Sequence, residues 1–415
     1  MTKPISAFDV LLGDTHVGTL SYSSHNDLTT FLLSAGYTEM ANPPTLSLSF
    51  RNKSGGFTRN RIRTMVTLPA FFANLLPEPG PLRELIIKRA SLKSAHDFAI
   101  LSLLRNDLPG AVILKPAPGQ PEDQDQFSQI AWPNSTINIS PPLKFSLAGV
   151  QMKFSAALID KTYSISDSGE NGDWIVKLPS SKFEQIPENE FATMKLAKAI
   201  GIEIPDIDLL DQREIKGLPE DISRPPGNCY AISRFDRANL SKRIHIEDFA
   251  QVFNLQPAAK YLDSSYQNIA AVIWQESGEE SLVQFVRRLV FSILIGNLDM
   301  HLKNWSLIYK SPSIPSLSPA YDLISTVAYP GVDRKLALSL SKTKRPEKVT
   351  LSHIKQMAAD AKLPESLVVS VAKTTIKSVR EMWNDHRSLY PPNQLAVIEK
   401  YMQSLPLLSA RTGPL

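Results

Sequence analysis

Between Pro116 and Pro142 the chain reads PAPGQPEDQDQFSQIAWPNSTINISPP, a stretch rich in Pro, Gln, Asp, Asn and Ser with almost no periodic apolar positions. Such a composition cannot bury enough apolar surface to form a packed layer, so it predicts a linker or long surface loop. It divides 415 residues into an amino-terminal piece, 1–115, and a larger remainder. The remainder changes character near Ile244, giving a strand-rich piece, 143–243, and a helix-rich piece, 244–415. Two or three domains is what this length predicts.

Composition narrows the class further. Lys plus Arg number 45 and Asp plus Glu 41, a net charge of +4, which makes no case for a dedicated nucleic-acid binder. The single cysteine, Cys229, excludes an internal disulfide and a multi-thiolate metal site, and suits a reducing compartment. In the strand-like CYAIS it reads as core rather than nucleophile. The longest strongly apolar run, Leu289 to Ile295, is far shorter than the roughly 18–20 residues that span a bilayer. The opening MTKPISAFDV lacks the apolar core of a secretory signal. A soluble cytoplasmic protein with no membrane partner is expected.

In the first piece Phe8–Leu12 and Val17–Tyr22 flank Gly13-Asp14, a predicted hairpin. Residues 68–88 mix aromatics with Pro-broken helical spacing, and SAHDFAILSLLR predicts a helix capped by Ser94. After the linker, Leu143–Leu147, Lys153–Ile159 and Trp174–Leu178 read as strands. ENEFATMKLAKAIG then reads as a helix stopped by Gly201. In SLVQFVRRLVFSILI the residues Leu282, Phe285, Val286, Leu289, Val290, Ile293 and Leu294 form one apolar stripe. Strands followed by helices predict an α+β fold of two lobes facing a cleft.

The chemistry concentrates in GNLDMHLKNW, residues 296–305, where Asp299 and Asn304 stand five apart. A kinase catalytic loop uses that spacing to hold a proton-accepting carboxylate and a Mg²⁺ ligand around one phosphoryl group. By itself it also fits a solvated helix-capping turn. Downstream, SPAYDLIS offers Asp322 as a second metal carboxylate, a helix N-cap being the other reading. Upstream, Lys177 ends WIVKLP as a phosphate-pairing lysine ends a kinase strand, and Glu190 or its rival Glu188 is the candidate partner. Gly149 in SLAGVQMK would let backbone N–H groups and Lys153 approach phosphate, although one glycine also fits a plain turn. The histidines other than His301 show no metal-ligand spacing. Arg51, Lys53, Arg59, Arg61 and Arg63 form a basic cluster that reads as a solvated face.

Together FFANLLPEPGPLRE, DFAILSLLRNDLPGAVIL, SLAGVQMKFS, WIVKLP, NEFATMKLAKAIGIEIP, SRFDR, GNLDMHLKN and PAYDLIS resemble, in order, the HipA family of kinase toxins from type II toxin–antitoxin systems. The resemblance implies a two-lobed protein-kinase-like fold with an extra amino-terminal subdomain, using ATP and Mg²⁺. It implies Asp299 as catalytic base, Asn304 and Asp322 as metal ligands, and Lys177 on the ATP phosphates. Ala148, Gly149, Val150, Gln151 and Lys153 would cover the phosphates, and Ser233, Arg234 and Phe235 would form the hinge beside adenine. His301 and Lys303 would line the phosphate site, with Tyr321 also in the nucleotide site. Ser146 would be the autophosphorylation site that switches the kinase off. Implied partners are a helix-turn-helix antitoxin like HipB, operator DNA reached through it with nucleoid association, and a protein substrate such as an aminoacyl-tRNA synthetase.

Two positions depart from the family pattern. Lys144 stands where some relatives carry a second serine, and Ser233 replaces an acidic hinge residue. Neither removes a catalytic group. The rival expectation is a non-catalytic co-repressor that binds an antitoxin–operator complex. Small-molecule phosphotransfer would use the same chemistry.

Overall fold

In a computed structural model, the structure describes residues 6–119 and 152–409, apart from 53, 59, 91, 93–95, 166–171, 220, 221, 223, 239–241 and 263. Strand β1 (Ala7–Leu12) pairs with β2 (Thr15–Ser23) across the expected turn, where Gly13 takes a left-handed φ of 59°. With β3 (Leu28–Leu33), β4 (Arg61–Met65) and β5 (Val112–Pro116) they form an antiparallel sheet ordered β4-β3-β2-β1-β5. Phe8, Val10, Leu20 and Phe31 alternate onto one face and meet Phe72, Leu101 and Leu104 from the covering helices. Pro77 and Pro79 separate the helices Ala70–Ala73 and Pro81–Arg89, since proline lacks the amide a continuing helix needs.

The next helix differs from expectation. It spans Asp97–Leu104, and its N-cap is His96 rather than Ser94, which lies outside the described residues. His96 Nδ1 accepts the Phe98 amide at 3.2 Å, while Nε2 lies 2.9 Å from Asp27 Oδ1. The ring thus caps the helix and ties it to the β2–β3 turn, which a serine could not do.

A second sheet comprises β6 (Lys153–Ile159), β7 (Thr162–Ser164), β8 (Trp174–Lys177), β9 (Ile207–Asp211), β10 (Ile215–Lys216) and β11 (Asn228–Ser233). Its order is β10-β7-β6-β8-β11-β9, antiparallel except between β10 and β7. The expected strand Leu143–Leu147 lies outside the described residues, as does the phosphate-covering loop up to Gln151. The helix Ile186–Ala199 follows β8, and Gly201, at φ 80°, ends it as expected.

This sheet has no solvent face at its centre. Along β11, Cys229 and Ala231 join the core of the amino-terminal domain, while Tyr230 and Ile232 join the core of the helical lobe. The period of two sends successive residues into different cores. Burial pushes the Cys229 thiol up to about 12, so it serves as core.

A ribbon of β12 (Arg237–Ala238) and β13 (Lys242–Arg243) leads into the helical lobe. There β14 (His245–Asp248), β15 (Ser306–Tyr309) and β16 (Ser316–Leu317) form a small antiparallel sheet. The long helix Tyr266–Ile295 breaks its regular geometry at Gly278 and buries its whole predicted stripe. Each such side chain contributes about 1.5–3 kcal/mol through burial. Helices Leu351–Asp360, Glu365–His386 and Pro392–Gln403 complete the lobe. Among the described residues no helix is long and apolar enough to cross a membrane.

Candidate active site

Strand register builds one side of the cleft. Lys177 on β8 stands opposite Lys153 on β6 and Tyr230 on β11, so the three side chains share a sheet face. Lys177 is buried, and its Nζ lies 5.6 Å from the centre of the Tyr230 ring. It donates to Glu190 Oε1 at 2.6 Å and to Asp322 Oδ1 at 2.5 Å. Glu190 shares a helical face with the buried Met194 and Ala197, which aims it at the sheet. Glu188 accepts instead from Asn228 Nδ2, so Glu190 is the carboxylate that meets Lys177.

These charges set one another. Burial opposes the Lys177 ammonium, but Asp322 and Glu190 hold its pKa well above the ordinary lysine value. Burial lifts Glu190 to about 7. Burial would raise Asp322 too, yet Lys177 and Lys153 keep its carboxyl far below the usual range. Burial, then Lys177, lowers Lys153 to about 8.

Asp322 takes a left-handed φ of 58°, a conformation aspartate tolerates better than most residues, and it does not cap a helix. The turn around it is pinned from two sides. Asn297 Nδ2 donates to the Asp322 carbonyl at 3.4 Å, and Asn189 Oδ1 accepts the Ser325 amide at 2.8 Å. Asn189 Nδ2 also donates to Gln394 Oε1 at 2.6 Å. The helix that supplies Glu190 therefore also holds the turn that supplies Asp322.

The opposite side of the cleft is the 296–305 loop. Gly296 caps the long helix at φ 76°, where a Cβ would stand 2.3 Å from Val327 Cγ2. Asn304 Nδ2 donates to the Asp299 carbonyl at 2.9 Å, which fixes the loop across its five-residue span and commits the amide nitrogen rather than the oxygen. The Asp299 side chain reaches solvent yet sits deep among protein atoms, as in a concave site. Tyr261 Oη donates to Asp299 Oδ1 at 2.8 Å. Burial raises the Asp299 carboxyl; the Tyr261 hydrogen bond and Lys260 oppose the rise. His301 is buried edge-on to Tyr261, and burial pushes it down to about 3, so it is neutral. Asp322 acts electrostatically on both Asp299 and His301 across the cleft.

Several expected site residues are placed otherwise. The Lys303 ammonium is buried and donates to the Asn74 carbonyl at 2.9 Å and Oδ1 at 3.0 Å, 3.2 Å from Asp248 Oδ2. It ties the loop to the amino-terminal domain through Asn74. The Arg234 side chain is likewise withdrawn, bonded to Asp107 and Asp236 because that buried acidic pair attracts it more strongly than an open hinge would. Ser233 Oγ accepts the Asp206 amide at 3.0 Å, and Phe235 lies 5.7 Å from Tyr321, ring centre to ring centre. Ser146, Ala148, Gly149, Val150 and Gln151 lie outside the described residues. No motif or spacing in the sequence marks Tyr261 or Lys260. Glu78 lies within FFANLLPEPGPLRE, where the residue pattern attaches no chemistry to it.

The donor set at Asn304 and Asp322, an amide oxygen and an ionised carboxylate, fits a hard cation such as Mg²⁺. Among the described residues no cluster of three or more His, Cys, Asp or Glu could cage a metal. Two protein ligands suit an ion that completes its shell with water and substrate phosphates.

Comparison with known proteins follows the same division. The family described as HipA N-terminal domain matches residues 8–115, and that described as HipA-like C-terminal domain matches 145–383. A Sinorhizobium fredii protein named "Putative kinase Y4dM" is 42% identical over 393 residues, covering 93% of each chain. The serine/threonine-protein kinase toxin HipA of Shewanella oneidensis is 24% identical over 406 residues, covering 89% of this chain and 86% of its own. A solved Shewanella oneidensis structure of HipA with HipB and operator DNA superposes with a TM-score of 0.69 at 21% identity, covering 97% of this chain and 96% of that one. That likeness extends the two-lobed α+β arrangement over nearly the whole chain.

Proposed function

This chain belongs to the HipA family, and we propose that it is an ATP- and Mg²⁺-dependent serine/threonine protein kinase acting as the toxin of a toxin–antitoxin pair. The observation that carries the reading is the buried Lys177 bridging Glu190 and Asp322 across from Asp299 and Asn304.

Asp299 accepts the proton of the acceptor hydroxyl while that oxygen bonds to the γ-phosphorus. The bond from phosphorus to the β–γ bridging oxygen breaks, and its electron pair leaves with ADP. Burial of Asp299 keeps its basicity above that of an ordinary carboxylate. Lys177, locked by two carboxylates, places a fixed positive charge for the phosphates. Asn304 and Asp322 would hold Mg²⁺, which supplies charge neutralisation for the phosphates when bound. In the family pattern residues 148–153 would cover the phosphates; in this reading His301 lines the phosphate side, and the Ser233–Phe235 backbone with Tyr321 borders the base. Ser146 is the autophosphorylation acceptor. A HipB-like helix-turn-helix antitoxin is the partner, which carries the complex to operator DNA. The target is a cytoplasmic protein, an aminoacyl-tRNA synthetase in the family pattern, whose modification stalls translation.

The test is labelling of a bacterial lysate with γ-labelled ATP. Wild type transfers label to a protein, and Asp299→Ala and Asp322→Ala lose that transfer while remaining folded. Undiminished labelling by either variant defeats the assignment. Absence of transfer by wild type, with operator binding intact, favours the co-repressor instead.

A further inference from the structure

The stretch between β14 and the long helix has no role in the mechanism above, yet it touches the carboxylate on which that mechanism turns. Tyr261 is 38% exposed and donates its hydroxyl to Asp299 Oδ1 at 2.8 Å, with its ring edge-on to His301. The preceding carbonyl, of Lys260, accepts the Leu302 amide at 3.2 Å, so this stretch and the 299–304 loop are joined at two points.

The other side of the same stretch rests on the amino-terminal domain. Lys260 Nζ donates to Glu78 Oε2 at 2.6 Å, both side chains nearly buried. Asn74 Nδ2 donates to the Leu255 carbonyl at 2.8 Å, and its own oxygens receive Lys303. Residues 74–78 therefore grip both the 255–261 stretch and the catalytic loop.

We infer that Tyr261 is a positioning residue for Asp299, and that the amino-terminal domain holds it in place through the Glu78–Lys260 pair. The inference rests on Asp299 being the proton acceptor. An aspartate carboxyl rotates broadly about its last torsion. A donor fixed on Oδ1 sets its plane and leaves Oδ2 for the acceptor hydroxyl. Small misplacement of a reacting group costs rate far more than it costs binding. On this account the amino-terminal domain is part of the catalytic apparatus and more than a docking module.

The experiment follows initial rates of label transfer from γ-labelled ATP into lysate protein by the full chain. Tyr261→Phe keeps the ring against His301 and removes one oxygen. It lowers kcat about tenfold, the scale of one hydrogen bond to a charged group, with KM for ATP within about twofold and the melting temperature unmoved. Glu78→Gln lowers kcat in the same direction, and the double variant loses no more than the worse single, since both act through one carboxylate. Wild-type kcat in Tyr261→Phe overturns the inference, as does a loss that appears equally in KM and melting temperature. Additive losses detach Glu78 from the relay and overturn that half. Asp299→Asn in the same assay separates the levels. If it still transfers label, the proton-acceptor reading fails. If it is dead while Tyr261→Phe is normal, only the positioning inference fails.

Discussion

Arg234 shows how much one buried side chain can hold. Its guanidinium is almost completely enclosed and donates to Asp236 at 3.0 and 2.9 Å and to Asp107 Oδ1 at 2.9 Å. Arg237 adds bonds to the same two carboxylates. Burial would raise Asp236, but Arg234 and Arg237 hold it well below the usual carboxylate range. Because Asp107 comes from the amino-terminal domain, the cluster is a rivet between domains. Arg234→Met leaves Asp107 and Asp236 underpaired out of water and is expected to cost about 3–5 kcal/mol. A lower denaturant midpoint at unchanged slope is the measurement. Arg234→Lys recovers only part of the loss, because one ammonium cannot span both carboxylates as the planar fork does.

At the scale of elements, the turn that ends the long helix is set by one missing Cβ. Gly296 and Gly331 have nearly equal φ, 76° and 74°, but only Gly296 is crowded, by Val327, whereas nothing lies within 4 Å of the position a Cβ would take at Gly331. Gly331→Ala is expected to cost about 1 kcal/mol from backbone strain alone. Gly296→Ala should cost about 3 kcal/mol or more and displace the loop bearing Asp299. Thermal unfolding of the two variants side by side checks the difference, and equal losses would refute it. What could be read from the sequence follows the same local logic. The β1–β2 hairpin, β6 and the Gly201 stop were legible because alternation, turn glycines and caps act within a few residues. Tyr261 and Glu78 were not, because the pairing of segments 38 and 182 positions apart is decided by packing between lobes. Lys303 and Arg234 stood in legible motifs, yet the acidic and carbonyl groups that claim them lie in distant parts of the chain.

At the scale of the whole molecule the domains are also joined by a carboxylate that, among the described residues, no cation balances. Glu247 on β14 is fully buried and accepts from Ser47 Oγ at 2.5 Å, the Leu48 amide at 3.0 Å and Tyr309 Oη at 2.5 Å. Burial lifts it from 4.5 to about 7. The folded state therefore holds this proton more tightly than the unfolded state. The group's stabilising contribution is complete below about pH 4.5 and fades as pH rises through about 7, by up to about 3 kcal/mol. Glu247→Gln should gain stability relative to wild type between pH 5 and pH 8, as denaturant titrations at both values will show. An unchanged difference would refute it.

The absence of a wet side at the middle of the second sheet has a further outcome. A chain shortened to begin at residue 152 would lay Phe154, Val176, Cys229 and Ala231 bare to water, all of them now sealed inside. Residues 6–119 are thus a cover that the rest of the chain cannot shed, and any descendant that lost it would first have to repaint that surface with polar residues.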